Sequence, residues 1–224
     1  MIKTTLNQIL AVMMKDLRSE FRTRYAISAI SLFVLVTITM IVFSFRGEVI
    51  NSREVSGLLW ITFFFGSMMG LSKAFVSEEE RQTSLFLKIC VPGYAVYFGK
   101  LLFNIILAIS INILASLLFY LFFGFSVNNL FLFIIILLLS GLGIGSSSTI
   151  ISAIISKADS KGAIFPILSF PVLLPLIILG IESTTIAISG LGFSNGLSNL
   201  ILLLSYSGIL IPLSFILFDF VWED

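Results

Sequence analysis

Six tracts of the chain contain no aspartate, glutamate, lysine or arginine: Tyr25–Phe45, Val55–Ser72, Leu101–Phe123, Leu130–Ser156, Gly162–Ile181 and Leu197–Phe218. Helices of roughly 20 residues at about 1.5 Å rise per residue cross a hydrocarbon core of about 30 Å. The second tract is the shortest and extends to Val76 if Lys73 snorkels to the surface. Strands are excluded, because membrane barrels need alternating segments of about 10 residues and these tracts are apolar on every side. The pattern predicts an all-α polytopic membrane protein with six transmembrane helices, spanning about 25–45, 55–76, 101–123, 130–156, 162–181 and 197–218. Residues 1–24 precede the spans as a separate cytoplasmic helix, and 25–224 form one membrane domain.

Composition closes the alternatives. Charged residues make up 11% of the 224 and hydrophobic ones 58%. The charges gather between the tracts, so no sizeable soluble domain fits. A net charge of +1 gives no pull toward nucleic acid. The absence of histidine removes the commonest metal ligand and general base. Cys90, the single cysteine, has no partner for a disulfide within the chain.

Basic residues near span ends are retained in the cytoplasm. Lys3, Lys15, Arg18, Arg22 and Arg24 precede the first span, Lys73, Arg81, Lys88 and Lys100 lie in the second connection, and Lys157 and Lys161 lie in the fourth. Only Arg46 and Arg53 fall in the other connections, so eleven of thirteen basic residues share one side. Both termini are predicted cytoplasmic, with the acidic tail Asp219, Glu223 and Asp224 placed there by the even number of spans.

Before the first span, Leu6, Ile9, Leu10, Met13, Met14, Leu17 and Phe21 recur at helical spacing, with Asn7, Gln8, Lys15, Arg18, Ser19 and Arg22 on the other face. This predicts an amphipathic helix lying in the membrane interface, its cations meeting anionic lipid or a partner.

No aspartate, glutamate, lysine or arginine lies in the interior of a span, so no proton relay or ion-coupling site is visible and transport energy is expected from outside the chain. Gly141, Gly143 and Gly145 followed by three serines sit in an apolar tract without the lysine of a nucleotide loop. Gly66 and Gly70, like Gly141 and Gly145, have the spacing that lets two helices approach closely. Asn104, Ala108, Asn112 and Ser116 form a small polar stripe suited to interhelical hydrogen bonds. Pro166, Pro171 and Pro175 leave the carbonyls of Gly162, Ile167 and Pro171 without helical partners, which predicts a helix bend. A membrane enzyme would need converging ionisable groups, and the predicted external acids are only Glu48, Glu54 and Glu182.

The stretch Ser72–Lys100 stands apart. Glu78, Glu79 and Glu80 lie on the basic side, followed by an amphipathic run containing Leu85, Phe86, Leu87 and Ile89. A partner surface is expected to meet them. This stretch, with Ser84-Leu85, Pro92 and Tyr97-Phe-Gly-Lys100 leading into Leu101-Leu-Phe-Asn104, resembles haem exporter protein B, the membrane subunit of the ABC system for cytochrome c maturation. The proline-punctuated run Phe165–Leu179 extends the resemblance over most of the chain. The family often has glycine near Gln82 and a charge near Ser72, where this chain departs.

The resemblance implies an ABC-2-type permease of the bacterial inner membrane that dimerises and docks two copies of a separate ATPase subunit. It implies work with a haem-handling membrane protein and a periplasmic haem chaperone. ATP would be hydrolysed by the partner and haem handled by the complex, with no cofactor bound by this non-catalytic chain. In that plan the N-terminal helix and residues 77–88 face the ATPase, with Ser77, Glu78, Glu79, Glu80 and Arg81 coupling it to the membrane. Ser183–Asn199 would form short external re-entrant helices. The alternative is an ABC-2 permease exporting a lipid, polysaccharide or drug.

Overall fold

The computed structural model describes residues 2–23, 25–45, 50–124, 126–158 and 161–223. Arg24, Arg46, Glu48 and Asp224, used above for orientation and external charge, lie outside them. The described residues form helices and turns without a strand: α1 Ile2–Thr23, α2 Tyr25–Phe45, α3 Ser52–Leu71, α4 Lys73–Glu80, α5 Ser84–Cys90, α6 Gly93–Phe123, α7 Leu130–Ser156, α8 Lys161–Ser189 and α9 Phe193–Glu223. Six units are long and apolar enough to cross a membrane, with α3 and α4 together counted as one.

Helix ends follow local chemistry. Asn51 Oδ1 accepts from the amides of Arg53 and Glu54 at 3.1 and 3.0 Å, and Glu54 Oε2 accepts from the Asn51 amide at 3.1 Å, a reciprocal cap that starts α3. Asn129 caps α7 through the Leu132 amide. Gly124 stops α6 at φ +61°, a left-handed conformation open to glycine at little cost. Between α3 and α4 stands Ser72, with near-helical φ −58° and ψ −27°. There Ser152 of α7 accepts from the Phe75 amide and donates to the Ser72 carbonyl, each at 3.1 Å, satisfying backbone groups at the junction.

The bundle is organised around α7, which packs against α3, α4, α6, α8 and α9. Its small residues explain this position. A Cβ at Gly145 would lie 2.8 Å from the Ile105 Cα of α6, and one at Gly143 would lie 2.6 Å from Leu176 of α8. Gly141 meets Ile109 of α6, so the α6 backbone on one face and the Leu176 side chain of α8 on another reach the α7 backbone. On α3, Gly66 and Gly70 face Val34 and Ile30 of α2 and Ile111 of α6. Gly180 of α8 receives the Trp60 ring, whose Nε1 donates to Thr184 at 3.0 Å. The polar stripe of α6 turns to α7: Asn104 Nδ2 donates to Thr149 at 2.9 Å and Asn112 Nδ2 to Ser140 at 3.0 Å. Outward, Leu32, Met40 and Phe43 of α2 and Ile209, Ile216 and Phe220 of α9 are exposed. Such faces suit lipid.

Four spans differ in their bounds from the sequence reading, the second running Ser52–Glu80. The third span begins at Gly93, because Pro92 opens the helix and Lys100, taken above as a connection residue, lies buried inside it. The fifth and sixth spans run to Ser189 and from Phe193. The expected re-entrant helices of Ser183–Asn199 are therefore absent. Ser183, Thr185 and Ser189 instead donate to carbonyls four residues back within α8, and a short turn containing Gly190 at φ +74° leads into α9. Pro166, Pro171 and Pro175 all lie inside the continuous α8, and Pro212 lies inside α9. Tyr206 of α9 supports the proline segment by donating to the Val172 carbonyl at 2.7 Å.

The tight α6–α7 contact sets an expected outcome. Gly145→Ala should lower stability by about 1–3 kcal/mol, because relief of its clash requires backbone movement. Gly57→Ala, with nothing within 4 Å of its Cβ, should lose none. Thermal unfolding of the two variants in one detergent checks the difference.

Candidate functional site

Lys100 has a fully buried side chain, an unusual place for an ammonium unless partners replace its water. Two other elements supply them. Its Nζ donates to the Ala74 carbonyl of α4 at 2.6 Å, to Glu78 Oε1 of α4 at 3.2 Å and to Asp16 Oδ2 of α1 at 3.1 Å, and it stands 5.0 Å from the Phe75 ring. Lys15 bonds to Glu78 and approaches Asp16 Oδ1 at 3.2 Å, closing a ring of two cations and two carboxylates. Thr83, beyond α4, donates to Glu78 Oε2 at 2.5 Å. Burial works against the Lys15 charge, but Asp16 and Glu78 outweigh it and hold its pKa above the ordinary lysine value.

Gly99 prepares this contact. A Cβ there would lie 2.7 Å from Val12 Cβ and 2.9 Å from the Ile9 carbonyl, so only a bare backbone lets α1 settle on α6. The apolar residues of α1 consequently divide. Val12 is buried against α6, whereas Leu6, Leu10, Met14 and Phe21 remain exposed.

On the other side of α4 an aromatic cluster continues the support. Phe75 lies 5.4 Å from Phe218, which lies 5.3 Å from both Tyr97 and Trp222. Lys88 of α5 stands 5.5 Å from the Trp222 ring. The chain then turns through Gln82 at φ +55°, and α5 presents Leu85, Phe86 and Ile89 at 70, 68 and 85% exposure while Leu87 points inward.

The five residues singled out in the acidic run are thus separated by the fold. Glu78 is buried and satisfied within the chain, Ser77 and Glu79 are half-buried, and Glu80 and Arg81 are exposed. Sequence reasoning missed Lys100 and Asp16 as partners. Along the sequence Lys100 reads only as a charge in a connection and Asp16 carries no signal of its own; the sequence separation of the three elements hides their meeting. The arrangement offers no bond-breaking chemistry of its own. It ties α1, α4 and α6 into one body and leaves α5 as an apolar face at its end.

The model of the CcmB protein family matches residues 7–216, nearly the whole chain, and the chain belongs to that family. No curated protein matches it. With six helices fit to cross a membrane, it is a membrane permease subunit of the haem exporter for cytochrome c maturation.

Removing one partner of a buried ion pair costs on the order of 3–5 kcal/mol, because the other charge is stranded. Lys100→Met should destabilise the protein by about that amount and make α1 sensitive to protease. Adding Glu78→Gln should recover part of the loss, since it removes one stranded carboxylate. Limited proteolysis and thermal unfolding of the single and double variants check both outcomes.

Proposed function

We propose that this member of the CcmB family forms a membrane dimer on which a separate ABC ATPase subunit docks through α5 and the outer face of α4. The Lys100 cluster then carries the ATPase movement into the spanning helices, so that α1, α4 and α5 move as one body. The observation that carries this reading is the exposure of Leu85, Phe86 and Ile89 on a short helix beyond the end of the second span. Exposed apolar faces elsewhere belong to helices that suit lipid, whereas this one calls for a protein partner. Glu79, Glu80 and Arg81 flank it and supply charges whose pairing sets the register of docking.

The basic-residue asymmetry supports placing this end, and both termini, in the cytoplasm of a bacterium, with the protein in the inner membrane. The other partners are a haem-handling membrane protein and a periplasmic haem chaperone. ATP hydrolysis belongs to the ATPase subunit, and this chain binds no cofactor directly. Release of the loaded chaperone, driven by conformational change, is favoured over passage of haem through the spans. Two propionates in hydrocarbon would cost several kcal/mol without paired donors, and the chain has no histidine to ligate iron.

Phe86→Asp combined with Ile89→Asp should abolish co-purification of the ATPase subunit and c-type cytochrome assembly while membrane insertion persists. A double variant that retains both would remove α5 as the docking face. For orientation, with Cys90→Ala as background, a cysteine at Arg53 should react with an impermeant reagent from outside and one at Glu80 should not.

A further inference from the structure

Between α1 and the α3–α4–α5 segment lies an open cleft of about 1050 Å³. Arg18 and Arg22 of α1, Lys73 of α4 and Arg81 line it together with a single further acid, Glu20, once Lys15, Asp16 and Glu78 are set aside as already joined in the charge cluster. The cleft is therefore strongly cationic. Arg18, Arg22 and Arg81 are exposed and form no ion pair among the described residues. Ser19, Ser77 and Thr83 also line it, and an apolar part of the wall is made by Met14, Phe86 and Leu87 with Gly70 and Phe103, the last two from helices that cross the membrane.

Position and chemistry together select the occupant. The exposed residues Leu6, Leu10, Met14 and Phe21 suit α1 to the bilayer interface, so the headgroup layer runs into the cleft. Guanidinium groups match phosphate oxygens with paired donors, and a free inorganic anion would leave the apolar wall unused. An acidic protein segment would have to reach residues of the spanning helices. We infer that the cleft binds one anionic phospholipid, its phosphate met by Arg18, Arg22 and Arg81 and its acyl chains by Gly70 and Phe103. The cleft shares Arg81 and Phe86 with the proposed docking face but takes Arg18 and Arg22 from α1 alone, so variants of those two arginines distinguish failure of this inference from failure of the docking reading.

The full-length protein in mixed micelles with phosphatidylglycerol or phosphatidylcholine, measured by native mass spectrometry, provides the test. One phosphatidylglycerol per chain should be retained in preference to phosphatidylcholine. That preference should fall about tenfold in Arg18→Gln/Arg22→Gln. Arg81→Gln should weaken it less, and Arg53→Gln, at the other end of the bundle, should leave it unchanged. Equal retention of the two lipids, or an unchanged preference in the double variant, overturns the proposal. So does displacement of the lipid by millimolar inorganic phosphate, which marks a free-anion site, or its loss whenever partner subunits co-purify, which marks a protein site.

Discussion

A buried ammonium is a constraint that few chains carry without a reason. Taking Lys100 out of water costs several kcal/mol unless oxygen atoms surround it in fixed positions. The oxygens here come from two other elements, Asp16 on α1 and Ala74 and Glu78 on α4. Each is held in turn: α1 by its seat on Gly99, and α4 by Ser152 at its junction with α3. The charge cluster is thus the joint at which the segments outside the six-helix bundle are attached to it. Whether it adds net stability over an apolar core is secondary. Its exacting geometry fixes where α1 and α5 point.

The bundle behind that joint is built for close approach. Gly141, Gly143 and Gly145 let α6 and α8 reach the α7 backbone, and amide to hydroxyl bonds from Asn104 and Asn112 hold α6 in register. In hydrocarbon, where apolar side chains gain little by leaving lipid, such packing and hydrogen bonding are what hold helices together. The same kinds of contact join α4 to α7 through Ser152 and to α9 through the Phe75, Phe218 and Trp222 rings.

Much of this was legible in the sequence because hydrocarbon enforces a simple rule. The spans declared themselves by lacking charge, and α7 occupies the tract Leu130–Ser156. The same rule failed at Lys100, where a lysine read as the edge of a span is neutralised from two distant segments and the helix runs on beneath it. At Ser183–Asn199 the re-entrant helices that the resemblance implied give way to a longer α8, because the Ser183 and Thr185 hydroxyls bond within the helix. The acidic run was recognisable as special. That Glu78 turns inward while Glu80 and Arg81 turn out depends on the meeting of α1, α4 and α6, which spacing along the chain does not encode.

The central claim is that the charge cluster makes α1, α4 and α5 one moving body. Spin labels at Leu6 and Leu85, both exposed, report the α1 to α5 distance in the assembled complex. The account predicts one narrow distance distribution that stays unchanged between nucleotide-free and ATP-bound states, and that broadens when Lys100 is replaced by methionine. A distance that shifts with nucleotide in the unaltered protein, or that is indifferent to the loss of Lys100, would contradict it.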